Sequence, residues 1–175
     1  MTLQKNNNQS LWIQPYKLIC PSINQKQIAR ERLLTLLDQS QSIPLTCVFS
    51  PAGFGKSTLI VNWLQARQLA YGWYALDLND NEPGFFANHL IYALHHASGG
   101  YCPQTLALVQ QQEYANLNSL LAKAMMEIAQ TSGHFYMVLD DVHTLTNPII
   151  LEALRHWLKL LPAQIHVILS CQNEP

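Results

Sequence analysis

The loop formed by residues 50–57 is the feature that most limits what this chain can fold into. It follows the short apolar run 45–49 and passes directly into residues with a helical spacing of apolar side chains. A short continuous apolar run is typical of a strand buried on both faces. The loop matches the pattern G-x-x-x-x-G-K-[ST], except that Ser50 stands at the first glycine. The sequence therefore predicts a strand–loop–helix unit that binds phosphate groups, as in P-loop NTPases.

Each residue type in this loop has a physical reason to be there. Gly53 and Gly55 allow the tight backbone that points N–H groups at an anion, and the helix that follows adds its positive dipole end. Lys56 is expected to reach the β- and γ-phosphates, and Ser57 to offer its hydroxyl to Mg²⁺. We expect nucleotide contacts from Pro51, Ala52, Gly53, Phe54, Gly55, Lys56, Ser57 and Thr58. The alternative is a glycine turn with a solvated lysine, which the strand–loop–helix context disfavours.

Strands and helices alternate along the rest of the chain. This order predicts an α/β fold with a parallel sheet and helices on both faces, of the additional-strand P-loop type. Such sheets have a fifth strand beside the P-loop strand, and its absence here would leave an apolar edge unpaired. We expect a flexible lead-in over 1–16 and a nucleotide-binding domain over 17–175. The predicted strands are 45–49, 71–76, 135–139 and 165–169, and the predicted helices are 25–39, 56–68, 85–96, 117–130 and 148–161.

Two adjacent carboxylates follow the apolar run 135–139. Because ligands of open parallel sheets bind at the carboxyl ends of the strands, Asp140 and Asp141 are expected beside the loop. We assign Asp140 to Mg²⁺ and Asp141 to the attacking water, so that Asp141 and Lys56 are the predicted catalytic residues. The alternative is a pair of ordinary turn acids. Asp77 and Asp80 could also approach the metal, but their position before Pro83 favours helix capping.

The composition excludes several other classes of function. A formal net charge of −1 does not provide the basic surface that a nucleic-acid backbone requires. The sequence has no apolar run of about 18 residues, and its cysteines are far apart, so we expect a soluble cytoplasmic protein with reduced thiols. The guanine motif N-K-x-D and the transporter signature L-S-G-G-Q are absent, which favours adenine.

The chain resembles the N-terminal ATPase domain of the MalT-like, ATP-dependent LuxR-family transcription activators, a branch of the STAND ATPases. The resemblance runs from about residue 17 to residue 175. It is carried by the phrases at 17–18, 30–34, 50–59, 72–77, 139–143 and 146–148.

This resemblance implies a switch that binds ATP or ADP with Mg²⁺. ADP would hold a resting monomer, whereas ATP with an inducer would permit self-association and promoter binding. Inducer sensing and the helix-turn-helix would lie in C-terminal domains beyond this segment, so we expect the front part of a longer regulator without direct contacts to nucleic acid or membrane. By the same resemblance, Arg30 lies near the adenine and His143 completes the acidic phrase.

The sequence departs from the family near its end, where Gln172 stands at the position assigned to a phosphate-sensing arginine. Glutamine can hydrogen-bond a phosphate but carries no charge. We therefore expect weak hydrolysis. Two alternatives stay open, namely a small-molecule P-loop kinase and a nucleotide-binding interaction module without turnover. The four arginines are few for the phosphoryl-gripping lid of a kinase.

Overall fold

A four-stranded parallel sheet forms the centre of the described chain, which comprises residues 13–22 and 31–172 of the computed structural model. The strand order is β1-β4-β3-β2. Parallel neighbours need crossover connections, and each crossover here contains at least one helix. The strands are β1 Leu45–Phe49, β2 Tyr71–Ala75, β3 Phe135–Asp140 and β4 Ile165–Cys171.

Helices cover both faces of this sheet. The first two pack on one face, in a core that includes Leu37, Trp63 and Val138, and the other four enclose the larger core on the opposite face. No helix in the described ranges has the length and apolar character that crossing a lipid bilayer requires. The predicted doubly covered α/β fold is confirmed. The helices are α1 Glu31–Asp38, α2 Lys56–Ala66, α3 Pro83–Ala97, α4 Pro103–Gln111, α5 Leu117–Ile128 and α6 Pro148–Lys159.

Strands β3 and β4 are buried as their apolar runs indicate, but both are longer than the sequence predicted. All six residues of β3 are buried, and alternate side chains enter the two cores. Asp140 lies opposite Ala75 in the ladder, and Cys171 lies opposite Phe49. The two strands continue through these residues because the neighbouring strands still offer backbone hydrogen bonds there. As a result, Asp140 belongs to the sheet itself and not to the loop after it.

Strand β1, which leads into the 50–57 loop, is an edge strand. Within the described residues it pairs only with β4. Its first four residues are half-buried and Phe49 is 43% exposed, although the run is apolar throughout. This is the unpaired apolar edge that the strand count predicted.

The opposite edge, β2, is covered by residues 13–22, which we name the edge segment. Its turn Pro15–Leu18 packs against β2. Leu18 packs against the core of α3 to α6, whereas Cys20 packs against the core of α1 and α2. The segment therefore passes around the sheet edge between these two residues. Lys17, which immediately precedes Leu18, is buried.

One exposed ion pair joins α1 to α2 and sets a pH-dependent prediction. The Arg67 guanidinium donates to both carboxylate oxygens of Asp38 at 2.8 Å, and Trp63 Nε1 donates to Asp38 at 2.9 Å. These hydrogen bonds, that of Arg67 first, lower the pKa of Asp38 to about 2. Because the folded pKa is depressed, the stabilisation is complete above the unfolded value of about 3.9 and disappears as the pH falls through about 2.

We therefore expect Asp38→Asn to lower the free energy of unfolding at pH 7, and its deficit against the parent to shrink as the pH falls from about 4 towards 2. Urea unfolding at a series of pH values measures this deficit. Glu152→Gln, at an exposed position of α6, is the matched control. If the loss of stability in Asp38→Asn stayed constant down to pH 3, the lowered pKa of Asp38 would be contradicted.

Candidate functional site

The 50–57 loop connects β1 to α2 at the carboxyl edge of the sheet. Its two glycines have positive φ angles, 79° at Gly53 and 84° at Gly55, and a Cβ added at either would meet nothing within 4 Å. Glycine is thus required by backbone conformation and not by crowding. Gly55 is the N-cap of α2 and supplies no side-chain hydrogen bond to the helix. This leaves the first N–H groups of α2 suited to an anion.

The Lys56 side chain folds back over this loop. Its ammonium donates to the carbonyl oxygens of Ser50 at 2.8 Å and Pro51 at 3.3 Å, and the residue is only 8% exposed. Ser57 and Thr58 follow in the first turn of α2 and are half-buried. The structure therefore places a buried ammonium group at the start of α2, where no described side chain caps the helix.

Two buried polar atoms without partners lie near the carboxyl ends of β3 and β4, at the edge of the sheet from which the loop leaves β1. Asp140 is 5% exposed and its Oδ1 has no hydrogen-bond partner among the described residues; the same holds for Oγ of Ser170, which is fully buried. They lie on the neighbouring strands β3 and β4, each one residue past the paired Leu139 and Leu169. Val138 and Ile168, two residues before them, belong to the core of α1 and α2. Side chains two apart on a strand share a face, so Asp140 and Ser170 face the α2 side of the sheet.

Buried polar atoms are almost always satisfied in folded proteins, so this pair is suited to a polar ligand or a hydrated cation as its partner. Carboxylate and hydroxyl oxygens are ligands that Mg²⁺ accepts. Asp140 and Ser57 therefore fit the predicted metal role. Ser170 was not predicted; its signal in the sequence is a hydroxyl residue that directly follows the apolar run 165–169.

Asp141 follows the strand in a left-handed backbone conformation, with φ 61°. Burial first, and then the charge of Asp140, raise the pKa of its carboxyl group, while the charges of His143 and Lys56 oppose this rise. His143 Nδ1 lies 3.8 Å from Asp141 Oδ1. A carboxylate with a raised pKa is a better proton acceptor, which suits the role predicted for Asp141.

Gln172 lies next to the loop as well. It follows β4 in a bend and is half-buried. The carbonyl of the preceding Cys171 accepts the N–H of Ser50 at 3.4 Å, which ties the end of β4 to the start of the loop. Arg30, the residue predicted near the adenine, lies outside the described residues.

Asp77 and Asp80 act as caps, but they cap the turn Leu78–Asn81 and not α3. The Asp77 carboxylate accepts the N–H of Asn79, the Asp80 carboxylate accepts the N–H of Asp77, and Glu82 caps α3. Both aspartates also pair with Lys17. Within residues 13–22 and 31–172, no three His, Cys, Asp or Glu side chains cluster closely enough to form a metal site of their own.

The sequence was compared with protein families and with known proteins. No protein-family model matches the chain. The HTH-type transcriptional regulator MalT of Cronobacter sakazakii is 39% identical over 161 residues, which are 92% of this chain and 18% of that protein. The chain thus spans about a fifth of the length of the curated relative it matches. Over nearly its whole length the chain is therefore similar to one segment of that regulator, and it is a MalT-like fragment.

Proposed function

We propose that this segment is the ATP-binding, slowly hydrolysing switch domain of a MalT-like transcription activator. In this proposal the bound nucleotide controls self-association and DNA binding by domains outside the segment. The observation that carries the proposal is the buried Lys56 at a helix start without a side-chain cap, at the same edge of the sheet as Asp140, whose Oδ1 is buried without a partner among the described residues. The similarity to an HTH-type transcriptional regulator supports the regulatory role.

The residues divide the work by their chemistry. The N–H groups of the 50–57 loop and the start of α2 hold the phosphates. Lys56 exchanges the two loop carbonyls for phosphate oxygens, a stronger partner because both groups are charged. Ser57 and Asp140 would hold Mg²⁺, which would supply neutralisation of the phosphate charge. Asp141 orients the attacking water and accepts its proton.

A second function, nucleotide binding without turnover, is favoured by Gln172. This neutral amide lies beside the loop, where an arginine would stabilise charge that develops on the γ-phosphate. Slow turnover and no turnover both suit a switch, because a lasting ATP state is what a switch requires. Measured hydrolysis separates the two.

The test is a calorimetric titration of ATP, ADP and GTP, each with Mg²⁺, into the parent and Lys56→Ala. We expect ATP and ADP to bind the parent, GTP to bind at least tenfold more weakly, and Lys56→Ala to lose about 100-fold in affinity, or about 2.7 kcal/mol. Lys123→Ala, on α5 in the opposite helix layer, is the matched control. Equal affinity of the parent and Lys56→Ala for ATP would reject the proposal.

A further inference from the structure

The Asn81 side chain joins two turns at the carboxyl edge of the sheet. Its Oδ1 accepts the backbone N–H groups of Thr146 at 2.6 Å and Asn147 at 2.9 Å. Its Nδ2 donates to the carbonyl oxygens of Thr144 at 2.9 Å and Leu78 at 3.2 Å. In return, Asn147 Nδ2 donates to the Asn81 carbonyl at 2.8 Å. The turn after β2 is thereby tied to residues 141–147, which we name the acidic turn.

Asn81 is connected to Asp141 through Thr144. The N–H and hydroxyl groups of Thr144 both donate to the Asp141 carbonyl oxygen, at 3.0 and 2.9 Å. The carbonyl of Thr144 is in turn held by Asn81. Asp141 has a left-handed backbone, which a residue with a side chain adopts only when its surroundings hold it there. Fixing the peptide that follows Asp141 therefore helps to fix the direction of its carboxylate.

Asn81 projects from a rigid support. It ends the turn Leu78–Asn81, in which Asp77 and Asp80 cap each other's backbone groups. Buried Lys17 pairs with both carboxylates, at 2.7 and 2.6 Å. The Leu76 N–H also donates to the Asp140 carbonyl at 2.9 Å, so the two turns leave adjacent strands at a fixed separation. The support does not depend on a bound nucleotide.

We propose that Asn81 is a positioning residue for Asp141, acting through Thr144. The inference rests on the proposed function, in which Asp141 orients the attacking water. An amide suits this role because one end accepts two N–H groups while the other donates to two carbonyls. Aspartate keeps the acceptor but loses both donors, and it would place negative charge against two carbonyl oxygens. Alanine loses both the acceptor and the donors of the amide.

The test compares Asn81→Ala and Asn81→Asp with Gln164→Ala. Gln164 is the matched control, because its amide also bridges backbone carbonyls, those of Ala129 and Thr131, but at the opposite end of the sheet. We expect both Asn81 variants to lower kcat for MgATP by about tenfold or more, as a displaced catalytic group does, with the Kd for ATP within twofold of the parent. Gln164→Ala should keep kcat within about twofold, the change expected away from the site.

Two further variants separate positioning from general damage. Thr144→Val removes only the hydroxyl bond to Asp141 and should lower kcat about threefold, with little effect on folding. In an Asp141→Asn background, Asn81→Ala should cause no additional loss of kcat, because residues that act through one group are not additive. Amide hydrogen exchange of residues 144–147 in the nucleotide-free protein should accelerate in Asn81→Ala and stay unchanged in Gln164→Ala.

Unchanged kcat in both Asn81→Ala and Thr144→Val would overturn the inference, as would an equal loss in Gln164→Ala. A full additional loss in the Asp141→Asn background would overturn it too. ATP binding by the parent without turnover would remove the catalytic role and end the inference, while the binding proposal would stand. Absence of ATP binding by the parent would reject the proposed function and the inference together.

Discussion

Replacement of Lys17 by alanine is expected to destabilise the fold by about 3–5 kcal/mol, the cost of breaking a buried ion pair from one side. Lys17 is 1% exposed, and its ammonium lies 2.7 Å from Asp77 and 2.6 Å from Asp80. Asp80 is fully buried and also accepts the Tyr74 hydroxyl. Without Lys17, the Asp80 carboxylate is a buried charge without a cation, which costs free energy.

Lys17→Met separates the charge from the packing, because methionine keeps an unbranched apolar stem. It should cost nearly as much as alanine, since Asp80 remains unpaired. Adding Asp80→Asn should recover part of the loss. Urea unfolding at pH 7 measures all of these changes, and Lys159→Ala at an exposed position of α6 is the control, expected within about 0.5 kcal/mol. A loss below about 1 kcal/mol in Lys17→Met would show that water reaches the pair.

Gly72→Ala is the second large expected effect, with a loss of about 1–3 kcal/mol or more from overpacking. A Cβ at Gly72 would lie 2.8 Å from the Ala93 carbonyl oxygen, 2.9 Å from the Ala97 Cβ and 3.2 Å from the Met137 sulfur. The sulfur can move, but the carbonyl belongs to the backbone of α3. Helix α3 must therefore shift away from β2, which loosens the larger core.

The matched control for this prediction is Gly133→Ala, where the nearest atom, Thr131 Oγ1, would be 3.9 Å from the new Cβ. Thermal unfolding should show a clear fall of the midpoint for Gly72→Ala and a change of about a degree or two for Gly133→Ala. Ala97→Gly combined with Gly72→Ala should recover part of the loss, because it removes one of the close contacts. Equal midpoints for the two single variants would contradict the close approach of α3 to β2.

The elements that were predicted well are those whose signals are local in sequence. The apolar run 45–49 and the glycines of the next residues identify a strand and a tight loop without reference to the rest of the chain. Pro83 and Pro148 mark the first residues of α3 and α6, because proline lacks only an N–H that the helix start does not use. The place of β1 at an edge followed from the strand count and the family pattern.

The parts of the site that escaped prediction depend on residues far apart in sequence. Lys17 and Asp80 are separated by 63 positions, and Asn81 and Thr146 by 65. Nothing in the local sequence around Lys17 distinguishes it from a solvated lysine. Ser170 is similar, since only the pairing of β4 between β1 and β3 buries its hydroxyl beside Asp140.

The sequence by itself determined the α/β class, the 50–57 loop and the acidic pair, because apolar periodicity and backbone preference act over a few neighbouring residues. The tertiary structure alone decided which polar groups are buried together: Lys17 with Asp80, Asn81 with the acidic turn, and Ser170 beside Asp140. Burial makes those contacts strong, because a polar group withdrawn from water must find its partner within the protein. Burial is a property of the packed layers, which no short stretch of the chain specifies.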